Sequence, residues 1–478
     1  MIATFIVYLL LMLAIGVLAS RRTRNAGDYF LGGRRLGPWV TAISAGASDM
    51  SGWLLLGLPG YAFASGVQAI WLVGGLWLGT YLNWRLVAER LRRYSQGAAD
   101  AITLPAFLSE RFGGHRGLRI GSAFFVLLFF LFYVSSGLVA GGKLFESVFS
   151  IPYGYAVTAG TLVIMLYTLM GGFLAVSWTD LIQGLLMALA LVVVPLLALH
   201  QIGPSVAIER IRDIDPALLD PFANASGLAI VSLLAWGLGY FGQPHILARF
   251  MAARDTSTLQ QARRIAMGWV SLGMLGAMAA GLAGIALLQP VASDFDAEKV
   301  FIELIATLLH PIPAGICLAA ILAAIMSTAD SQLLVASSAL AEDLYGALGK
   351  GTLNERRRMS VARLTVLGIA ATAWGLALEP DSGVLELVSY AWAGFGAAFG
   401  PVILLSLFWA RMTARGALAG VIAGGVTVVL WKQLSGGWFE VYELLPGFIL
   451  AFVAAIAISL IDREPAAEIR TRHQRMFG

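Results

Sequence analysis

Three carboxylates lie inside apolar stretches, each beside hydroxyl-bearing neighbours. Asp49 sits in Ser44-Ala45-Gly46-Ala47-Ser48-Asp49-Met50-Ser51-Gly52-Trp53. Asp330 sits in Met326-Ser327-Thr328-Ala329-Asp330-Ser331, and Asp180 follows Gly171-Gly172-Phe173-Leu174-Ala175-Val176-Ser177-Trp178-Thr179. A charge in the middle of a bilayer costs about 2.5–3.5 kcal/mol on insertion scales, so such residues are usually functional. Gly and Ser let a membrane helix unwind, and the freed carbonyls are tolerated only where they line a cavity. Hard cations take oxygen ligands. Two helices carrying carbonyls and hydroxyls can therefore hold one small ion at a helix break. Plainer readings stay open beside this one. Asp49 could cap a shortened helix near the surface, Asp180 could cap a helix start, and Ser327 and Thr328 could bond back to the preceding turn.

The elements that position these groups follow from composition. The chain has 478 residues, 59% of them hydrophobic and only 13% charged, against about 25% charged in soluble proteins. The expected class is an all-α polytopic membrane protein forming one transport domain over 1–478. Thirteen spans are expected, near 3–20, 39–64, 67–90, 119–149, 154–175, 179–201, 224–245, 262–288, 301–341, 361–378, 384–409, 415–433 and 444–462. No cation precedes the first span, and Arg21, Arg22 and Arg24 follow it, so it reads as a retained span with the N-terminus outside. Five of the 32 Lys and Arg residues (Lys143, Arg210, Arg212, Lys299 and Lys432) then face outward and 27 face inward. That bias supports the count and places the C-terminus in the cytoplasm.

Other motifs are weaker. Gly237-Leu238-Gly239-Tyr240-Phe241-Gly242 matches a dinucleotide fingerprint, but it lies in an apolar span with no preceding strand, so close helix packing or a kink is the better reading. Asn224-Ala225-Ser226 is a sequon at the start of a span. The five histidines show no metal-ligand spacing and no nucleophile pattern appears, so nothing argues for an enzyme. Cys317 reads as packing. The basic residues fall in loops between spans, which argues against nucleic acid. Lys143 and Glu146, three apart, read as a helix-end ion pair. Arg34 in Gly32-Gly33-Arg34-Arg35 reads as an inner-gate residue or a topology anchor.

Long strings carry a resemblance over nearly the whole length: Ser44 to Pro59, Leu144-Phe145-Glu146-Ser147, Gly171 to Asp180, Trp236 to Met251, Ala320 to Thr328, Glu342-Asp343-Leu344-Tyr345 and Leu387 to Pro401. By these the chain resembles the sodium/solute symporter family, and within it the carriers of proline. The resemblance implies a LeuT-type fold of five plus five helices with inverted topology. Here the first repeat would cover 39–201 and the second 224–409, with an extra helix at 3–20 and two more over 415–462. It implies import of L-proline coupled to inward sodium movement, in a bacterial inner membrane, with no obligate protein partner evident. Carried over, the sodium ligands would be the carbonyls of Ala47, Met50 and Ala324 and the hydroxyls of Ser327 and Thr328, with Asp49 in support. A candidate second sodium or proton site would involve Asp180, Asp330 and Ser331. Asp330 departs from the serine expected there. The proline pocket would involve Ser51, Gly52, Trp53, Tyr133, Trp236, Tyr240 and Pro244. Aromatic faces suit a pyrrolidine ring with its ammonium, and free amides at a broken helix suit its carboxylate. A proton-coupled carrier of the same fold, or one for another small carboxylate, remains a rival.

Overall fold

The computed structural model describes residues 2–20, 31–97, 100–170, 172–223, 225–345, 355–379 and 383–477. Arg21, Arg22, Arg24, Gly171 and the sequon's Asn224 lie outside the described residues. Regular structure in the described residues is helical apart from one isolated bridge between Leu36 and Ala253. Among the described residues nine helices are long and apolar enough to cross a membrane, and two shorter apolar helices lie at Tyr153–Met165 and Gly227–Gly242.

Helix α1 (Ile2–Ser20) comes first. Helix α2 (Pro38–Asp49) opens on Pro38, which needs no amide partner in a first turn. It stops at Asp49: Met50 N still bonds Gly46 O at 2.7 Å, but Ser51 N turns back to Asp49 O at 2.9 Å. The chain resumes as a π-helical turn, Trp53–Gly57, and α3 (Leu58–Ser65). Gly66, at φ 62°, reverses the chain where a Cβ would collide with the backbone of Leu218. Then come α4 (Ile70–Leu82), a π-helical turn at Asn83–Val87 and α5 (Ala88–Gly97). Next are α6 (Arg116–Phe149), α7 (Tyr153–Met170) and α8 (Phe173–Ile202). A second broken helix pairs α9 (Gly227–Ala235) and a 3-10 stretch, Trp236–Gly242, with α10 (Pro244–Ala252). Gln243, with extended ψ 108°, is the break, and the following proline enforces it.

Helix α11 (Thr256–Leu288) is capped by Asp255, which accepts from Thr258 N at 2.7 Å and from Ser257 at 2.8 Å. Those bonds to its charged form hold the exposed Asp255 carboxyl below the usual range. Helices α12 (Pro311–Ser338), α13 (Glu355–Ala377), α14 (Val384–Phe408), α15 (Ala414–Trp431) and α16 (Leu444–Ile461) complete the bundle.

Two expected boundaries are corrected. The stretch 301–341 is not one helix: a short helix, Val300–Leu308, ends before His310, and α12 starts afresh at Pro311. A proline disfavours helix in the residue before it, a signal that apolarity alone overrides. The stretches 154–175 and 179–201 meet instead near Gly172, so Asp180 stands in the third turn of α8 and caps nothing.

The core is built around α2, which packs against α8, α10, α11 and α12. Every residue from Thr41 to Asp49 is buried. A helix buried on all faces must be surrounded by other helices, and glycines permit the approach. A Cβ on Gly237 would overlap the carbonyl of Gly75, one on Gly239 the Trp392 ring, and one on Gly242 the carbonyl of Phe395. The Gly237–Gly242 string therefore serves packing, as its context suggested.

The Lys143–Glu146 expectation is also corrected. Lys143 Nζ lies 2.8 Å from Asp296 and 2.7 Å from Glu298, while Glu146 pairs with Lys299 at 2.8 Å. Glu298 further accepts from Val384 N at 3.0 Å and Leu385 N at 2.9 Å, closing the start of α14. The 294–299 segment brings opposite charges to both residues, and those longer-range partners win over the neighbour one turn away.

Candidate functional site

The broken end of α2 and the middle of α12 meet at one carbonyl. Ser327 Oγ lies 2.8 Å from Ala47 O and 3.1 Å from Ala324 O, and Thr328 Oγ1 lies 3.1 Å from Ala47 O. Four of the expected sodium ligands are thereby brought together. The fifth, Met50, is fully buried and forms the break itself. Ser and Thr here do more than bond back to their own turn, since both reach across to α2. Such an array of neutral oxygens suits a hard monovalent cation, with the hydroxyls turning their lone pairs inward.

Asp49 is buried and held at both ends. Tyr240 donates to Oδ2 at 2.8 Å. The Asp49 carbonyl, which already accepts from Ser51 N at the helix break, also accepts from Trp53 Nε1 at 2.9 Å and Tyr133 OH at 3.3 Å. Three expected substrate-pocket aromatics thus converge on one residue of the broken helix. Ser51 Oγ lies 3.4 Å from Trp53 N, and Gly52 packs against Ala140 of α6 where a Cβ would approach to 2.6 Å. Pro244 is buried at the first turn of α10. Trp236 faces elsewhere: it stacks on Tyr442 at 5.0 Å, and its carbonyl accepts from Trp392 Nε1 at 2.8 Å.

Residues not singled out from sequence complete the arrangement. Trp392 meets Tyr240 edge-on at 4.8 Å. Gln243 bridges the break in the second broken helix, donating to Gly239 O at 3.0 Å and Trp392 O at 3.3 Å. His245 lies edge-on to Tyr133 at 5.6 Å. A polar residue at a Gly-rich break was the available signal for Gln243; nothing in local spacing marked Trp392.

Asp180, Asp330 and Ser331 also gather, around a residue the sequence reading passed over. Arg249, wholly buried, lies 3.2 Å from Asp180 Oδ2 and bonds Ser331 Oγ. Ser44 donates to Asp180 Oδ2 at 2.6 Å and accepts from Arg249 Nε at 3.1 Å. Asp330 is buried with neither oxygen bonded within the protein. Two carboxyl groups thus share one guanidinium.

Away from these clusters Arg34 ties three segments. It bonds Met251 O at 2.6 Å, Ala101 O at 2.9 Å and Asp100 at 2.8 Å. The chain just before α2 is thereby fastened to the end of α10 and to the loop after α5.

Comparison with known proteins gives the family and the fold. The sodium:solute symporter family model matches residues 29–424. The chain is 50% identical to a sodium/proline symporter of Salmonella typhimurium, over 99% of this chain and 95% of the relative, and 49% identical to the high-affinity proline transporter PutP of Bacillus subtilis, over 96% and 97%. Among solved structures, a Na+-coupled sialic acid symporter in a substrate-bound outward-open state superposes with TM-score 0.81 at 21% identity, over 97% of this chain and 98% of that one. The fold is accordingly an all-α membrane bundle shared with that symporter. The chain belongs to the sodium:solute symporter family.

Proposed function

We propose that this chain is a sodium/proline symporter of a bacterial inner membrane, importing L-proline by alternating access. The observation that carries the coupling mechanism is the meeting of α2 and α12 at Ala47 O. Sodium is held there by the carbonyls of Ala47, Met50 and Ala324 and the hydroxyls of Ser327 and Thr328, with Asp49 shaping the break. Proline sits beside it, against Ser51, Gly52, Trp53, Tyr133, Tyr240 and Pro244; Trp236, expected in this pocket, stacks on Tyr442 instead. The Asp49 carbonyl and carboxylate, gripped by Trp53, Tyr133 and Tyr240, make the two sites share a wall. An ion that fixes the break therefore also fixes the aromatic pocket. That differential affinity is the coupling, and it is reciprocal.

Thirteen crossings in a five-plus-five inverted repeat, with the N-terminus outside and the C-terminus inside, fit the positive-inside bias. Arg34 is then an inner latch. The second cluster, Asp180, Asp330 and Ser331, holds one monovalent cation, sodium or a proton, against the net charge that Arg249 leaves unbalanced. The test is uptake of radiolabelled proline into proteoliposomes under an imposed sodium or proton gradient. Sodium-driven uptake is expected; uptake driven by protons alone would overturn the assignment of Ala47, Ser327 and Thr328 to sodium.

A further inference from the structure

Beside Asp49 lies a second polar feature, centred on Asn83, a residue that the sodium and proline assignments do not use. A small cavity is bounded by Gly46 and Asp49 of α2, by Thr80 of α4 and Asn83 of the π-helical turn after it, and by Tyr240. Asn83 is 1% exposed, and neither its carbonyl oxygen nor its amide nitrogen has a bonding partner within the protein. Asp49 Oδ1 is unpartnered as well, while Oδ2 is taken by Tyr240. Thr80 Oγ1 spends its proton on Leu76 O at 2.9 Å and keeps lone pairs to offer. An unsatisfied buried amide costs about 1–3 kcal/mol, so a pair of such groups facing one cavity needs an occupant.

Size and chemistry select it. The cavity measures about 10 Å³, which is about the room that one water molecule needs. A solute of proline's size is excluded. A cation would satisfy Asp49 Oδ1 and Asn83 Oδ1 but leave Asn83 Nδ2 without an acceptor. Water accepts from Asn83 Nδ2 and donates to Asp49 Oδ1, meeting both needs with two to four polar partners. π-Helical turns inside membrane helices recur at functional sites because the extra residue re-aims a side chain. Here the turn begins at Asn83.

We propose that this cavity binds one water molecule, through which Asn83 positions the Asp49 carboxylate and so sets sodium affinity. Asn83 is a positioning residue: it acts on the ion through Asp49 and touches neither ion nor proline. The inference rests on the assignment of Asp49 to sodium binding.

The test uses the full chain in proteoliposomes. Asn83→Leu fills the cavity and excludes water; Asn83→Ser keeps a polar group with room for water. Asn83→Leu is expected to raise the sodium concentration for half-maximal proline uptake tenfold or more, with the KM for proline at saturating sodium unchanged. Asn83→Ser is expected to stay within threefold of the native value. Should the leucine variant fail to reach the membrane, Asn83→Val carries the same comparison. Unchanged sodium dependence in the apolar variant would overturn the proposal. So would a rise in proline KM equal to the rise for sodium, which a packing defect gives. A lower number of charges moved per proline in Asn83→Leu would show a cation in the cavity and overturn the water assignment. Asp49→Cys is run alongside. If that variant leaves sodium dependence unchanged, the Asp49 assignment itself falls, whatever Asn83 does.

Discussion

Tyr240 has two claims on it, and its hydroxyl separates them. Its ring stands edge-on to Trp392, while its OH bonds Asp49 Oδ2 at 2.8 Å. Tyr240→Phe keeps the ring and removes the bond. A hydrogen bond to a charged group contributes about 1.5–3 kcal/mol, so the sodium requirement is expected to rise about 10- to 100-fold. Sodium titration of uptake at fixed proline reads this. A change confined to the KM for proline would instead place the hydroxyl on the substrate. Ser327→Ala and Thr328→Val each remove a hydroxyl from Ala47 O, and each is expected to raise the sodium requirement at least tenfold in the same titration. Asp49 and the Ser327 and Thr328 hydroxyls were readable from residue types, because a carboxylate among Gly and Ser in an apolar run has few structural explanations; the carbonyl ligands and the aromatic pocket came only from the family resemblance. Arg249 and Asn83 were not readable. A lone polar residue in an apolar stretch has no spacing partner in sequence, and its meaning comes from residues far along the chain, such as Asp180 and Ser331, 69 and 82 positions from Arg249, or Tyr240 for Asn83.

Element by element, apolar runs located the helices but not their breaks. The break after Asp49 was visible because Ser51 and Gly52 follow it. The break at His310 was missed because its markers, Pro311 and Pro313, lie inside a long apolar stretch. Glycine packing was legible only as a tendency: spacing shows small residues, and only the fold shows that Gly237 faces Gly75. Gly237→Ala drives a methyl into the Gly75 carbonyl, between two helices that cannot part without moving the broken helix. Overpacking of this kind costs about 1–3 kcal/mol. The variant is expected to melt at lower temperature in detergent, whereas Gly268→Ala on α11, where a methyl meets nothing within 4 Å, should not. Ion pairs at helix ends divide in the same way. Lys143 is 8% exposed and serves both Asp296 and Glu298, whereas Lys299 and Glu146 are 26% and 33% exposed. Lys143→Met leaves two acidic groups without their cation and should lower thermal stability clearly. Glu146→Gln should change it little, because exposed pairs contribute about 0–1 kcal/mol. Equal effects from the two variants would contradict this division.

For the molecule as a whole, the open quantity is how much charge crosses with each proline. Proline is a zwitterion, so the coupling ions carry the current. One positive charge moving inward gains about 2.3 kcal/mol per 100 mV, which supports roughly 50-fold accumulation; two charges would square that factor. The expected number is one. The site at Ala47 is assembled from two helices whose meeting an ion can strengthen. The cluster around Asp180 differs, because Arg249 already occupies the Ser331 hydroxyl and one Asp180 oxygen that a second travelling cation would need. Asp330, left unpaired among them, is better matched to a standing proton or ion than to a coupled one. Charge displacement on a supported membrane, divided by radiolabelled proline taken up, measures the number directly. A value near one that persists in Asp330→Asn fits a single coupling site at Ala47, Ser327 and Thr328. A value near two that falls to one in Asp330→Asn would assign the second coupling charge to the Asp180–Asp330 cluster, and Arg249 would then have to release Ser331 in every transport cycle.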